Sequence, residues 1–403
     1  CEASALPLSY APETDISEGA DHDAHALRRQ ARRAGALTSS YEDVQLRNVR
    51  KSYLWEVTLS FAPSRRAFAL GASAAALAAC SPGAGGDNVV NVYSARHYDA
   101  DRRLYAAFEE ATGVAVRVLP ANAEQLLERL RAEADATEAD LVVAADAGNL
   151  WRMKDAGLLQ NVTTPTLEAG VPARLRDPDG AYWGFTKRAR VIIYRKDAVQ
   201  PEEVASYDDL ARPRFRNQIV ARSSSNVYQL STLASRIERR GADNARAWAA
   251  GVRANFARDP QGSDTDQIKA VAAGEAQATL CNHYYYFRLT QSEDPADREI
   301  VAKTGLVFPD QAGDGTHVNI SGAAVTAHAK RRDRAVQLLE YLVSDAAQTL
   351  LAPLNVEFPI RPEIAPAPGL AAFGSFKEED IPLDALGRHQ AEAARIFEEV
   401  GWR

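Results

Sequence analysis

From Asn88 onward, short apolar runs with strand spacing alternate with longer stretches that repeat at helical spacing. Asn88–Tyr93 reads as a strand, and Asp99–Thr112 as a helix with Leu104 and Phe108 inward that stops at Gly113. Val114–Leu119 follows as a strand, Ala123–Ala134 as a helix, Asp140–Ala144 as a strand and Leu150–Ala156 as a short helix. The alternation resumes with the strand Gln218–Ala221 and the helices Val227–Glu238, Asp243–Phe256 (Asp243 as N-cap) and Gln267–Ala273. Next come the strand Ala276–Cys281, a helix from Asn282 through Leu289, the strand Val318–Val325 and the helices Arg332–Ser344 and Asp384–Val400. Such alternation predicts an α/β fold. Two such regions, spread over the 403 − 80 = 323 residues after Cys80, predict two hinged lobes. Each lobe is expected to be a mostly parallel sheet flanked by helices. The crossing strands are expected within Tyr182–Tyr194 and Val318–Val325.

Charge narrows the function. The chain carries 47 Lys+Arg against 54 Asp+Glu, a net of −7, which argues against a nucleic-acid binder. Three cysteines build no disulfide framework.

The amino-terminal region reads differently. Residues 1–63 are polar and aperiodic, and are expected to be a non-native or disordered extension. Ser64–Leu70 carries the twin arginine Arg65-Arg66 before a short apolar run, the pattern of a folded-export signal. Leu77-Ala78-Ala79-Cys80 resembles the lipobox of bacterial lipoproteins. That likeness implies a signal over 64–80, lipidation of Cys80, and a flexible tether over 81–87.

In open α/β sheets, ligands bind beyond the carboxyl ends of strands. The three strand ends at His97-Tyr98, Tyr228 and His283–Tyr286 deliver five of the 14 tyrosines and two histidines. A phenol is a poor ligand until a highly charged cation displaces its proton. Tyr228, Tyr284 and Tyr285 fall in first helical turns, where exposed N–H groups favour an anion. Hard oxygen donors suit a trivalent ion, and ferric iron fits an all-phenolate set best. No cysteine cluster or HExxH motif indicates zinc, and no acidic cage indicates calcium. Four phenolates around Fe(III) leave one negative charge. Arg288, one turn beyond Tyr284-Tyr285, and Arg188, at the expected hinge, would balance it. A solvated hinge surface is the plain alternative reading of the hinge cations Lys187, Arg188 and Arg190. Successive helical residues point about 100° apart, so Tyr286 is read as packing. Spacing alone leaves an organic ligand stacked on aromatics open.

At these residues the chain resembles the bacterial periplasmic ferric-iron-binding proteins, the substrate-binding components of iron(III) ABC importers (bacterial solute-binding protein family 1). The motifs are YSARHYD at Tyr93–Asp99, WGFTKRARVIIY at Trp183–Tyr194, RSSSNVY at Arg222–Tyr228, PQGSDTDQIKAVAAGEA at Pro260–Ala276, NHYYYFR at Asn282–Arg288 and GTHVNISGAAV at Gly315–Val325. The likeness implies a type II two-lobe fold with an N-lobe over 88–187, a C-lobe over 188–315, a return to the N-lobe over 316–365 and C-terminal helices on the C-lobe over 366–403. In the histidine-plus-four-tyrosine subgroup the metal ligands match His97, Tyr98, Tyr228, Tyr284 and Tyr285, and a supporting arginine matches Arg288. The implied function is capture of Fe(III) and delivery to an inner-membrane permease with its ATPase, without covalent turnover. The implied setting is a periplasmic monomer, tethered if Cys80 is lipidated. Some relatives also bind an anion such as phosphate or carbonate, so a synergistic anion stays open. The alternative is a binding protein for an organic cation such as a polyamine or thiamine.

Overall fold

The computed structural model describes residues 88–96, 98–354 and 356–403. The expected extension (1–63), signal (64–80), tether (81–87), Cys80 and His97 lie outside the described residues. No described helix is long and apolar enough to cross a membrane.

Nine strands form a single connected sheet among the described residues. They are β1 (Val89–Ser94), β2 (Ala115–Pro120), β3 (Leu141–Ala144), β4 (Trp183–Arg195), β5 (Ile219–Val220), β6 (Ala278–Asn282), β7 (Thr304–Val307), β8 (Val318–Val325) and β9 (Phe358–Pro359). The order is β2-β1-β3-β8-β4-β6-β5, with β7 and β9 also on β4. The expectation of mostly parallel sheets needs correction. β1 pairs parallel with β2 and β3, and β5 with β6, but every pairing of β4 and β8 is antiparallel. The reason is that β8 arrives late in the chain and inserts between β3 and β4.

β4 is the crossing element. Trp183–Ala189 pairs with β8, and Arg190–Tyr194 with β6. Its side chains alternate, as the period of two requires. Trp183 and Phe185 enter one core with Leu104, Phe108, Leu126, Val142 and Leu338. Ile192 enters a second with Leu233, Trp248 and Leu280, while Val191 and Ile193 face a third with Ile268, Tyr286 and Phe287. Burial on both faces explains the unbroken apolar reading of this segment.

The tail departs from expectation in two ways. The single helix foreseen over Asp384–Val400 is two, Ala385–Arg388 and Gln390–Glu399. The tail is also shared between cores. Ile396, Phe397 and Trp402 join the second, but Ile381, Leu383 and Leu386 join the first. Asp243 is not the cap of its helix; Gly241 holds that position and Asp243 lies in the first turn. Gly387 packs directly on Trp151 of the helix Ala147–Asp155, where an added Cβ would overlap the indole. Gly387→Ala is therefore expected to cost about 1–3 kcal/mol through overpacking, measured as a lower urea midpoint at unchanged m.

Candidate metal centre

Three helix starts converge on the crossing strands. Tyr98 is the N-cap residue of the helix Asp99–Thr112. Tyr228 is the second residue of the helix Val227–Arg240, whose cap is the Asn226 side chain, accepting from the Tyr228 N–H at 3.0 Å. Tyr284 and Tyr285 lie in the first turn of the helix His283–Gln291.

The structure brings these tyrosines together. The Tyr284 hydroxyl donates to that of Tyr228 at 3.2 Å. The rings of Tyr284 and Tyr285 lie 4.4 Å apart. The Arg288 guanidinium sits 5.7 Å from the Tyr98 ring and 5.5 Å from that of Tyr284, linking residues far apart in the chain. Arg188 lies 5.2 Å from the Tyr228 ring. It is buried, not a solvated hinge group, and donates to the Ile320 carbonyl at 2.8 Å with Asp146 at 3.4 Å. Tyr286 packs instead, its hydroxyl donating to the Thr304 carbonyl.

Burial pushes the phenols of Tyr98, Tyr228 and Tyr284 up from their ordinary value, so each is neutral before a cation arrives. No group of three or more His, Cys, Asp or Glu side chains suited to a metal occurs among the described residues. The donor set here is phenolic, and its chemistry fits a hard, highly charged ion.

Two further residues support the site: Arg190, legible in the sequence only as a hinge cation, and Glu357, which carries no sequence signal. Arg190 ties the tyrosine helices to β4, donating to Asp264 (2.8 Å), Asn282 (3.2 Å) and Gln229 (2.9 Å). Glu357 accepts from Tyr98 at 3.3 Å and from Arg96 at 3.0 Å. Burial alone would raise its carboxyl, but Arg96, Arg188 and the Thr186 hydroxyl outweigh that and hold it down at about 2.

A family model described as bacterial extracellular solute-binding protein matches residues 103–377. The chain belongs to this family. It is 46% identical over 314 residues to iron uptake protein A1 of Synechocystis, covering 78% of this chain and 87% of that one. The structure of Trichodesmium IdiA (FutA) in complex with iron and citrate is 44% identical, with a TM-score of 0.76 over 78% of this chain and 100% of that one. A ferric binding protein from Campylobacter jejuni is 41% identical, with a TM-score of 0.73 over 78% and 100% of the two chains. The two-lobe, type II binding-protein fold foreseen from the sequence is that of these neighbours.

In this solute-binding protein the remaining histidines and the cysteine near the centre are structural. Cys281 is buried. His317 supports the crossing region, its N–H donating to Tyr207 and its carbonyl accepting from Arg190, while its ring bonds Glu379. His283 accepts from the Ala189 N–H at 3.1 Å and its other ring nitrogen reaches the Val356 carbonyl at 3.0 Å, so neither nitrogen is left for a metal. Burial favours its neutral form and lowers its pKa from 6.5 to about 4. A lowered histidine stabilises the fold fully above 6.5, and that stability drains as pH falls from 6.5 to about 4. The loss is expected to be on the order of 3 kcal/mol across this window. The Glu357 carboxyl, lowered from 4.5 to about 2, adds its own loss only below 4.5. Urea unfolding at neutral and mildly acidic pH checks this; in a His283→Asn variant the dependence should flatten.

Proposed function

We propose that this protein captures Fe(III) between its lobes and delivers it to an ABC permease with its ATPase subunit. The ligands are Tyr98, Tyr228, Tyr284 and Tyr285, with His97 as the fifth. The carrying observation is the convergence of phenols from three helix starts, with Arg188 and Arg288 against their rings. Iron uptake and ferric-binding relatives support the same reading. An organic cation is disfavoured because the buried carboxylates nearby are already paired: Glu357 with Arg96, Asp146 with Arg188, Asp264 with Arg190. With five protein ligands little of the sphere is left for a substrate to react in, so the protein is a carrier and not an enzyme.

The lobes run over 88–187 and 188–315, with a return over 316–365. The protein acts in the periplasm as a monomer, held at the membrane by lipidated Cys80. An anion such as citrate or carbonate completes the iron sphere where a sixth donor is needed. The purified protein loaded with Fe(III) is expected to show a visible phenolate-to-iron charge-transfer band and about one iron per chain by elemental analysis. A colourless protein carrying no iron would refute the reading.

A further inference from the structure

We propose that Glu357 positions Tyr98 for iron, holding its hydroxyl from a carboxylate fixed by the crossing strands. The inference rests on the iron reading above. Glu357 has no exposed side-chain surface, and neither has its partner Arg96. Burying an ionised carboxylate costs several kcal/mol unless its oxygens are matched. Arg96 bridges two carboxylates, Asp101 at its Nε at 2.9 and 3.1 Å and Glu357 at 3.0 Å. Pairing with Arg96 occupies one Glu357 oxygen and leaves the other for Tyr98.

Its two oxygens divide the work. Oε2 accepts from the Thr186 hydroxyl on β4 at 2.5 Å, from Ser321 on β8 at 3.1 Å and from Arg96 at 3.0 Å. These contacts fix the carboxylate to both crossing strands. Oε1 accepts from the Tyr98 hydroxyl at 3.3 Å. That distance is long for an O–H···O bond, so the carboxylate orients the neutral phenol, and the bond yields when a cation takes the oxygen and the proton leaves to solvent. The other sides of Tyr98 are held as well. Its N–H donates to Asp101 at 3.4 Å, and the Arg96 guanidinium lies 4.5 Å from its ring.

The adjoining residue grips the other lobe. The Val356 carbonyl meets the ring of His283, which directly precedes Tyr284. One short segment thus registers the first-lobe tyrosine against the start of the second-lobe tyrosine helix. An outer partner that orients a ligand in this way is worth about 10–100-fold in metal affinity.

A double-mutant cycle tests the assignment. Fe(III) affinity is measured by chelator competition for wild type, Glu357→Gln, Tyr98→Phe and the double variant, with the charge-transfer band recorded for each. Glu357→Gln is expected to lose about 10–100-fold and to shift the band, and to lose less than about two-fold once Tyr98 is already phenylalanine. An equal loss in both backgrounds, or none in either, overturns the proposal. If Glu357→Gln does not fold, Glu357→Asp keeps the charge beside Arg96 and withdraws the acceptor; its loss must likewise vanish in Tyr98→Phe. Wild-type protein that takes up no iron overturns the iron reading and this proposal together, and that arm alone separates the two failures.

Discussion

Lowering the pH by one unit is expected to weaken Fe(III) binding by about 10⁴-fold, a factor of ten for each phenol that must give up its proton. Free tyrosine has a pKa of about 10, and burial raises Tyr98, Tyr228 and Tyr284 further. These three phenols are therefore protonated throughout the neutral range before iron binds. Each Fe–O bond exchanges one proton for a share of the cation's charge, and linkage makes the exchange visible as a slope. Tyr228→Phe should reduce the slope from about four protons to about three. Its affinity should fall by more than the roughly 10–100-fold that an outer partner is worth. Competition against a chelator of known protonation, at several pH values, measures both. An affinity that barely moves between pH 8 and 6 would remove phenolates from the mechanism.

The second large effect is expected at Arg188. Its guanidinium is buried against Asp146, which is itself buried and also accepts from Asn319 at 2.8 Å. Removing one member of a buried pair strands the other, which typically costs about 3–5 kcal/mol. Arg188→Ala should therefore lower the urea midpoint well beyond ordinary surface changes. It should also weaken iron by about 10–100-fold, because the cation beside Tyr228 is lost. Arg188→Lys keeps the charge but not the planar fork, so it should recover part of the iron affinity and little of the stability. Comparing the two variants by chelator competition and urea melts separates the electrostatic role from the structural one. Equal iron affinity in wild type and Arg188→Ala would deny Arg188 any part in the site.

Much of this was legible in the chain itself, where the information is local. Asp99–Thr112 and Val318–Val325 have the boundaries their periodicity predicts. The tyrosines were visible because each follows a strand and opens a helix. Other elements gave no such trace. The helix Pro295–Lys303 has no buried residue, so it lacks an apolar stripe to read. Strand direction is also silent in a period of two, so the antiparallel pairings of the crossing strands β4 and β8 leave no trace in the sequence. Glu357 lies 259 positions from Tyr98 in a stretch with no motif, and only the folded chain makes them neighbours. Arg190 looked like a solvated hinge charge, because the sequence does not show Asp264, Gln229 and Asn282 closing over it.

The late insertion of β8 between β3 and β4 has a consequence for biosynthesis. A ribosome that has released only the residues before Val318 has made every strand flanking that position, but not the one that joins them. The nascent polypeptide then presents two unpaired strand borders and an uncovered apolar layer, the condition under which chains aggregate. The first lobe cannot close co-translationally ahead of the second, so truncated products ending there should be held by chaperones or degraded rather than accumulate as half-receptors.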